Sequence, residues 1–166
     1  ISEKLDTLSG LFAIGQPPTG SKDPFALRRA AIGLLRILIE KELDLDLATC
    51  IELAFAGLKD LGSANVDCSA KVQQQAMEFL LDRLQAWSSD KGISPAVFQS
   101  VMALRPTRPV DFDRRVKAVA HFQSLEESAA LAAANKRVSN LLAKQEVDAG
   151  AKVDSALFSE PAEKAL

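Results

Sequence analysis

Apolar residues recur along this chain at intervals of three and four, the period of an α-helix that buries one face. The clearest stripe runs through Val72, Ala76, Leu80, Leu84 and Trp87, and it predicts a helix over 70–90. The same spacing predicts further helices over 3–14, 24–41, 46–61, 95–104, 111–123 and 125–144. No segment shows sustained alternation with a period of two, so we expect an all-α fold of about eight helices joined by short loops.

Residues with capping chemistry mark the ends of these helices. Asp23-Pro24 and Ser94-Pro95 each predict a helix start, because the side-chain oxygen accepts from free amides and proline fits the first helical position. Asp111 predicts another N-cap, and Ser124 to Glu127 has the spacing of a capping box. Between Leu104 and Asp111, Arg105-Pro106-Thr107-Arg108-Pro109 predicts a stiff, extended connector, because residues before proline avoid the helical region.

The stripes also predict which side chains face the core. Over 46–61 the inward residues are Leu47, Ile51, Leu53, Ala54 and Leu58, and over 125–144 they are Leu131, Ala134, Val138, Leu141 and Leu142. Two residues of the helix over 24–41 need a special explanation. Arg28 is in line with an apolar row, so its guanidinium must reach solvent or meet a carboxylate. Gly33 lies on the polar face and indicates a close neighbour.

Composition is consistent with a packed helical protein. The chain has 166 residues, of which 48% are hydrophobic and 25% charged, and this length suits one domain or two small ones. The charged fraction excludes a disordered polyelectrolyte. No stretch approaches the roughly 18 apolar residues of a membrane span. Cys50 and Cys68 form no CxxC pair, so we expect two buried thiols of a reduced, cytoplasmic protein and no metal site.

The net charge of −2 is unevenly distributed. Between Lys91 and Lys144 there are nine basic and four acidic residues, whereas the remainder has eleven basic and eighteen acidic ones. The whole-chain charge argues against general polyanion binding, but the local excess permits it on one side.

Two predicted helices carry cations at helical spacing. Over 111–123, Arg114, Lys117 and His121 form a column with Arg115 beside it, and such a column suits a phosphate backbone. The alternative is a solvated face partly neutralised by an Asp113–Lys117 pair. Over 125–144, Lys136, Asn140 and Lys144 repeat every four residues on the outward face, with Arg137 aligned to Lys144. Asn135, Ser139 and Asn140 add uncharged donors and acceptors, and this mixture favours RNA contact.

Catalytic motifs are missing from the sequence. We find no nucleophile elbow, P-loop, HExxH or GxGxxG pattern. His121 is the only histidine and has no HxxH or HD partner, so we expect neither a metal ligand nor a nucleophile activator there. The residues therefore predict a binding or scaffolding protein with no catalytic residue and no cofactor of its own.

Three long motifs carry a family resemblance. Lys22-Asp23-Pro24-Phe25-Ala26-Leu27-Arg28-Arg29-Ala30-Ala31 resembles the β subunits of the bacterial two-subunit glycyl-tRNA synthetases. Leu104-Arg105-Pro106-Thr107-Arg108-Pro109 followed by Asp111-Phe112-Asp113 is similar to the same family, as is Ala132-Ala133-Ala134-Asn135-Lys136-Arg137-Val138-Ser139-Asn140-Leu141.

The resemblance implies a domain organisation. Residues 1–20 would be the C-terminal end of an HD-like helical domain, 21–110 a helical body, and 111–166 the beginning of a DALR-type anticodon-binding region. The chain begins with Ile1 and is expected to be an excerpt from a longer polypeptide. Glu3 stands where the HD motif usually has a metal-ligand aspartate, and its earlier ligands are outside this sequence.

The resemblance also implies a function. The holoenzyme uses ATP and Mg²⁺ to join glycine to its tRNA, with aminoacylation in a separate α subunit and tRNA binding mainly in the β subunit. We therefore expect tRNA(Gly) and the α subunit as partners, and neither a membrane nor DNA. We assign tRNA contact to Lys117, Lys136, Arg137, Lys144 and Asn140, and second to Arg105, Arg108, Arg114 and His121. The alternatives are a protein-interaction scaffold for subunit assembly and, third, an HD-type phosphohydrolase.

Overall fold

Seven α-helices follow one another in the computed structural model, which describes residues 1–62, 65–144 and 160. They are α1 (Ser2–Ala13), α2 (Leu27–Glu40), α3 (Leu47–Asp60), α4 (Ala70–Asp90), α5 (Pro95–Met102), α6 (Pro109–Gln123) and α7 (Ser128–Lys144). The described residues contain no β-strand, which confirms the all-α prediction. They also contain no helix that is long and apolar enough to cross a membrane. The chain divides into two compact units, Ile1–Phe122 and Gln123–Leu166.

Helix α4 is the centre of the first unit. Its bounds are those predicted, and the predicted stripe of Val72, Ala76, Leu80, Leu84 and Trp87 is buried along its whole length. The helix contacts α1, α2, α3 and α5. Ala76 is fully buried, and because its side chain is a single methyl group, neighbouring helices approach closely there.

Helix α2 begins later than predicted. Its N-cap is Ala26, which has a left-handed backbone (φ 55°), so residues 24–26 do not belong to the helix. Asp23 nevertheless caps it, because its two carboxylate oxygens accept from the amides of Leu27 (2.8 Å) and Arg28 (3.0 Å). The predicted cap is therefore confirmed and the predicted start is wrong.

The buried face of α3 also differs from the prediction. Leu47, Ile51 and Phe55 are buried at intervals of four residues. Leu53, which was expected inward, is 67% exposed, because it lies about 200° around the helix from Ile51. Phe55 replaces it as the large core side chain and is fully buried.

Of the three later helices, α5 starts where it was predicted, whereas α6 and α7 do not. Ser94 caps α5 as predicted, and its Oγ accepts from the Val97 amide at 3.3 Å. Helix α6 begins at Pro109, and Asp111 lies in its first turn and is not the N-cap. Proline is pre-organised for the first helical turn, which explains the earlier start. Residues 124–127 form a turn and α7 starts at Ser128, so the predicted helix start at the capping box is wrong.

Arg28 and the two cysteines are accommodated without an internal ion pair or a disulfide. The Arg28 guanidinium reaches out and donates to the Gly20 carbonyl at 2.6 Å, which is one of the two predicted solutions.

Cys68 is buried as expected, whereas Cys50 is half-buried, and both are free thiols. Burial raises the pKa of Cys50, and the negative charge of Asp46 raises it further. The thiolate is therefore disfavoured at neutral pH.

Gly33 has the close neighbour that its position on the polar face indicated. A Cβ built there would lie 3.6 Å from the Lys4 side-chain Cε, an ordinary van der Waals contact. We expect Gly33→Ala to stabilise the protein by about 1 kcal/mol, because alanine is the better helix former. Urea unfolding measures the change. Gly15→Ala is the control and should destabilise, because Gly15 has φ +71°. Destabilisation by Gly33→Ala would contradict this interpretation.

Candidate nucleic-acid interface

The cations of α6 are largely paired with carboxylates on the same helix. Lys117 Nζ lies 2.7 Å from Asp113 Oδ2, and Arg115 Nε lies 2.7 Å from Asp111 Oδ2. Both are pairs at positions i and i+4, where side chains of a helix meet. The Asp113–Lys117 pair is the one that the spacing predicted. The local positive charge of α6 is therefore partly neutralised.

Arg114 and His121 complete the predicted column on α6. Both residues are exposed. Among the described residues, Arg114 forms no ion pair. The described residues contain no group of three or more histidine, cysteine, aspartate or glutamate side chains that would hold a metal ion. The column thus presents one unpaired arginine, one paired lysine and one imidazole to solvent.

The two connector arginines have different environments. Arg108 Nη1 donates to Asp44 Oδ2 at 2.7 Å, and its Nε is 3.9 Å from Asp46 Oδ2. Arg105 is exposed, has a left-handed backbone (φ 46°) and forms no ion pair within the described ranges. Both line a cleft of about 250 Å³ together with Asp46, Leu104, Pro106, Thr107, Asp111 and Arg115. Arg115, which the sequence analysis left out of the candidate set, therefore lies close to both.

Asp46 fastens the connector to the start of α3. One carboxylate oxygen accepts from the amides of Ala48 (2.9 Å) and Thr49 (3.2 Å). The other accepts from the Thr107 hydroxyl at 2.6 Å, and the Leu47 amide donates to the Thr107 carbonyl at 2.9 Å. We call this arrangement the Asp46–Thr107 clasp. It fixes the segment that precedes α6, and sequence reasoning missed it because its partners are 61 residues apart.

The cations of α7 have no such partners. Lys136, Arg137, Asn140 and Lys144 lie on one face of about 100°, and all four are exposed. The helix contains three cations and no carboxylate. Within the described ranges, none of the three forms an ion pair. At 1.5 Å per residue, Lys136 and Lys144 are about 12 Å apart along the axis. The four residues therefore form a short ridge of donors that no described carboxylate neutralises.

The opposite face of α7 is apolar, as predicted, but it is not buried. Leu131, Val138, Leu141 and Leu142 are 55%, 53%, 63% and 52% exposed, and no residue of α7 is buried. The predicted face is correct and the predicted burial is wrong. Helical period assigns side chains to a face, whereas burial needs an opposing surface that periodicity alone does not provide.

Comparison with known proteins gives the class of this helical protein. A family described as "Glycyl-tRNA synthetase beta subunit" matches residues 1–103. Over the whole chain, the sequence is 55% identical to the glycine–tRNA ligase β subunit of Shewanella amazonensis, 54% to that of Pseudomonas aeruginosa LESB58 and 52% to that of Hahella chejuensis. The chain belongs to the glycyl-tRNA synthetase β-subunit family. It spans 23% or 24% of the length of these three relatives.

Removal of the Thr107 hydroxyl should loosen the clasp. Thr107→Val replaces the hydroxyl with a methyl group and leaves Asp46 Oδ2 without its shortest hydrogen bond. We expect a loss of about 1.5 kcal/mol in the free energy of unfolding, which is typical of a hydrogen bond to a charged group. Thr107→Ser is the matched control, because it keeps the donor. Urea unfolding of both variants measures the difference, and equal losses would exclude a role for the hydroxyl.

The clasp should also make stability depend on pH. The Thr107 hydroxyl lowers the pKa of Asp46, with further lowering by the amides of Thr49 and Ala48. A carboxyl whose pKa is lower in the folded state stabilises the fold above its unfolded pKa, and this contribution disappears as pH falls through the folded pKa. Between about pH 5 and pH 3, the wild type should therefore lose more stability than Asp46→Asn. Parallel slopes for the two proteins would contradict the assignment.

Proposed function

We propose that this chain is part of the β subunit of a glycine–tRNA ligase and helps to bind and orient tRNA(Gly). In this proposal the cytoplasmic holoenzyme performs the ATP- and Mg²⁺-dependent glycylation with its α subunit, and this chain supplies RNA contacts and no catalytic group. The family membership and the names of the relatives support the holoenzyme role. The cationic ridge on α7 supports the RNA-binding role.

The ridge is the observation that carries the proposal. Contacts between cations and a phosphate backbone release condensed counterions, and the number of these contacts sets the salt dependence of binding. Lys117 and Arg108 already have carboxylate partners at 2.7 Å, so binding RNA would require those pairs to compete with phosphate. Lys136, Arg137 and Lys144 have none among the described residues. We therefore place the principal backbone contacts on α7, with Asn140 between them for a base or ribose.

The candidates on α6 and its connector are secondary in this proposal. Arg114 is exposed and unpaired within the described ranges, Arg105 lies at the rim of the connector cleft, and His121 is exposed at the last turn of α6. Each would add one contact at most. Lys117 and Arg108 would add less than an unpaired cation because of their carboxylate partners.

Removal of two ridge cations should weaken tRNA binding. In a full-length β subunit carrying Lys136→Ala and Arg137→Ala, we expect lower affinity for tRNA(Gly). The slope of log K against log salt should become shallower by about 1.5, because each lost phosphate contact changes it by about 0.7 to 0.9. Filter binding or fluorescence anisotropy at several salt concentrations measures both quantities.

The control for that experiment is the double variant Lys41→Ala and Lys59→Ala. It removes the same total charge from exposed positions on another part of the chain. Its affinity and salt slope should stay close to those of the wild type. A ridge variant with unchanged affinity and slope would refute the assignment. Equal effects of the two variants would show that total charge, and not the position of the ridge, determines binding.

A scaffold in subunit assembly is the second candidate function, and the exposed apolar face of α7 favours it. Leu131 and Leu141 are more than half exposed. An exposed apolar surface along one side of a helix is typical of a protein contact. This function predicts that Leu131→Ser with Leu141→Ser weakens association with the α subunit. The tRNA salt slope of the isolated β subunit should then be unaffected.

A further inference from the structure

A cleft of about 560 Å³ opens between the C-terminal ends of α2 and α4 and the side of α6. Its volume is within the range of about 300 to 1,000 Å³ that is usual for small-ligand sites. All of its lining residues belong to the first compact unit. None of them lies on the α7 ridge, although Lys117, a secondary candidate for RNA contact, is one of the lining residues.

The floor of the cleft is apolar and aromatic. Ile39, Ile93 and Trp87 line it, and Trp87 is only 7% exposed. Lys91 Nζ lies 5.8 Å from the centroid of the Trp87 ring, within the distance at which a cation is attracted to the face of an aromatic ring. The chain therefore already places an ammonium group over this tryptophan. The ring can hold a cation, and the two isoleucines can cover an aliphatic stem.

The lining of the cleft holds three carboxylates, those of Glu40, Glu42 and Asp113, and two ammonium groups, those of Lys91 and Lys117. Asp113 is 9% exposed and paired with Lys117, and Glu40 is paired with Arg36 at 3.0 Å. Glu42 forms no ion pair with any residue in the described ranges. Lys91 balances the charge of Glu42, and the carbonyl ends of α2 and α4 add partial negative charge, so the ligand that the cleft favours is a cation in the place of Lys91.

We propose that this cleft binds a guanidinium or ammonium group on an aliphatic stem. The cation would lie between the Trp87 ring and the Glu42 carboxylate, and the stem would lie along Ile39 and Ile93. This is the chemistry of an arginine or lysine side chain presented by another protein and also of a free polyamine. Lys91 occupies part of the site from within the chain and competes with the ligand.

Trp87 provides a direct readout, because the chain contains one tryptophan and no tyrosine. The 166-residue chain is titrated with agmatine, in which a four-carbon stem joins a guanidinium to a primary ammonium group, and with the blocked peptide acetyl-Gly-Arg-Gly-amide. We expect saturable changes in tryptophan emission with both. The same peptide with citrulline in place of arginine has the shape of arginine without its charge and should give no change. Tighter binding of the peptide identifies a partner protein as the source of the cation, and tighter binding of agmatine identifies a free polyamine.

Two substitutions should change the affinity in opposite directions. Glu42→Gln removes the unpaired carboxylate and should weaken binding about threefold. Lys91→Met removes the internal competitor and should tighten binding about threefold. A change of about threefold is the size expected for one partly exposed charge contact. Glu52→Gln, an exposed carboxylate on α3 outside the cleft, is the control and should leave the affinity unchanged.

A glycine substitution at Glu42 distinguishes an effect on ligand binding from an effect on folding stability. Glu42 has φ 50°, a left-handed conformation that favours glycine. Glu42→Gly should therefore raise the midpoint of thermal unfolding and at the same time weaken the ligand. Ala26→Gly, at φ 55° and the other end of α2, should raise the midpoint without changing the ligand affinity. The proposal is overturned if neither cationic ligand changes the emission, if the citrulline peptide responds equally, or if Glu42→Gln binds as the wild type does.

Discussion

The burial of one stripe on α4 is the constraint on which the first unit depends. Val72, Ala76, Leu80, Leu84 and Trp87 occupy a single face over 21 residues, and that face can be removed from water only if several helices pack on it together. Helices α1, α2 and α3 do so, and their own largest side chains, among them Leu8, Leu34 and Phe55, are fully buried. Each fully buried aliphatic or aromatic side chain contributes about 1.5 to 3 kcal/mol, so the hydrophobic effect dominates this arrangement. Polar contacts then decide finer positions, such as the attachment of the connector by the Asp46–Thr107 clasp.

The distribution of carboxylates decides which cations are available to a ligand. Helices α6 and α7 each carry three lysine and arginine residues. On α6, Asp111 and Asp113 precede Arg115 and Lys117 by four residues, so two of the three cations are paired. On α7 no carboxylate exists at any spacing. Exposed pairs add little stability, yet they reduce the charge that a polyanion meets. The same count of basic residues thus has different consequences on two helices.

The hydrophobic periodicity correctly predicted those features of the fold that depend only on residues close together in the sequence. The bounds of α4 and its buried stripe were predicted correctly, because both follow from spacing within one helix. The capping role of Asp23 was also predicted, whereas the helix start was not, because the left-handed backbone of Ala26 leaves no pattern in the sequence. Leu53 was assigned inward incorrectly and Phe55 was not named, although helical spacing already places Leu53 about 200° from Ile51 and Phe55 in line with Ile51.

In the candidate site too, contacts within one helix were predictable from the sequence, whereas contacts between distant segments were not. The ridge on α7 and the Asp113–Lys117 pair follow from helical spacing alone. The contacts of Arg108 with Asp44 and of Thr107 with Asp46 join residues more than 60 positions apart, and nothing in either segment indicates the other. Pairing across such distances changed the ranking of the candidates, because it placed Arg108 beside a carboxylate. Charge on a surface is therefore predictable from sequence only where the helix itself supplies all of the neighbours.

Helix α7 has an apolar face and a cationic face, and each face is stabilised by a different kind of partner. Its apolar face has a hydrophobic free energy to gain from an opposing protein surface, whereas its cationic face gains from a polyanion and would lose solvation in an apolar contact. Leu131, Val138 and Leu142 lie about 120° or more around the helix from Lys136 and Lys144, so a protein surface that covers these three side chains leaves both lysines in solvent. Protein contact and RNA contact on α7 are therefore compatible, and the first would hold the second in a fixed orientation. In the proposed function, such a helix would pass the position of its protein neighbour to the RNA, which is the property that orientation of a tRNA requires.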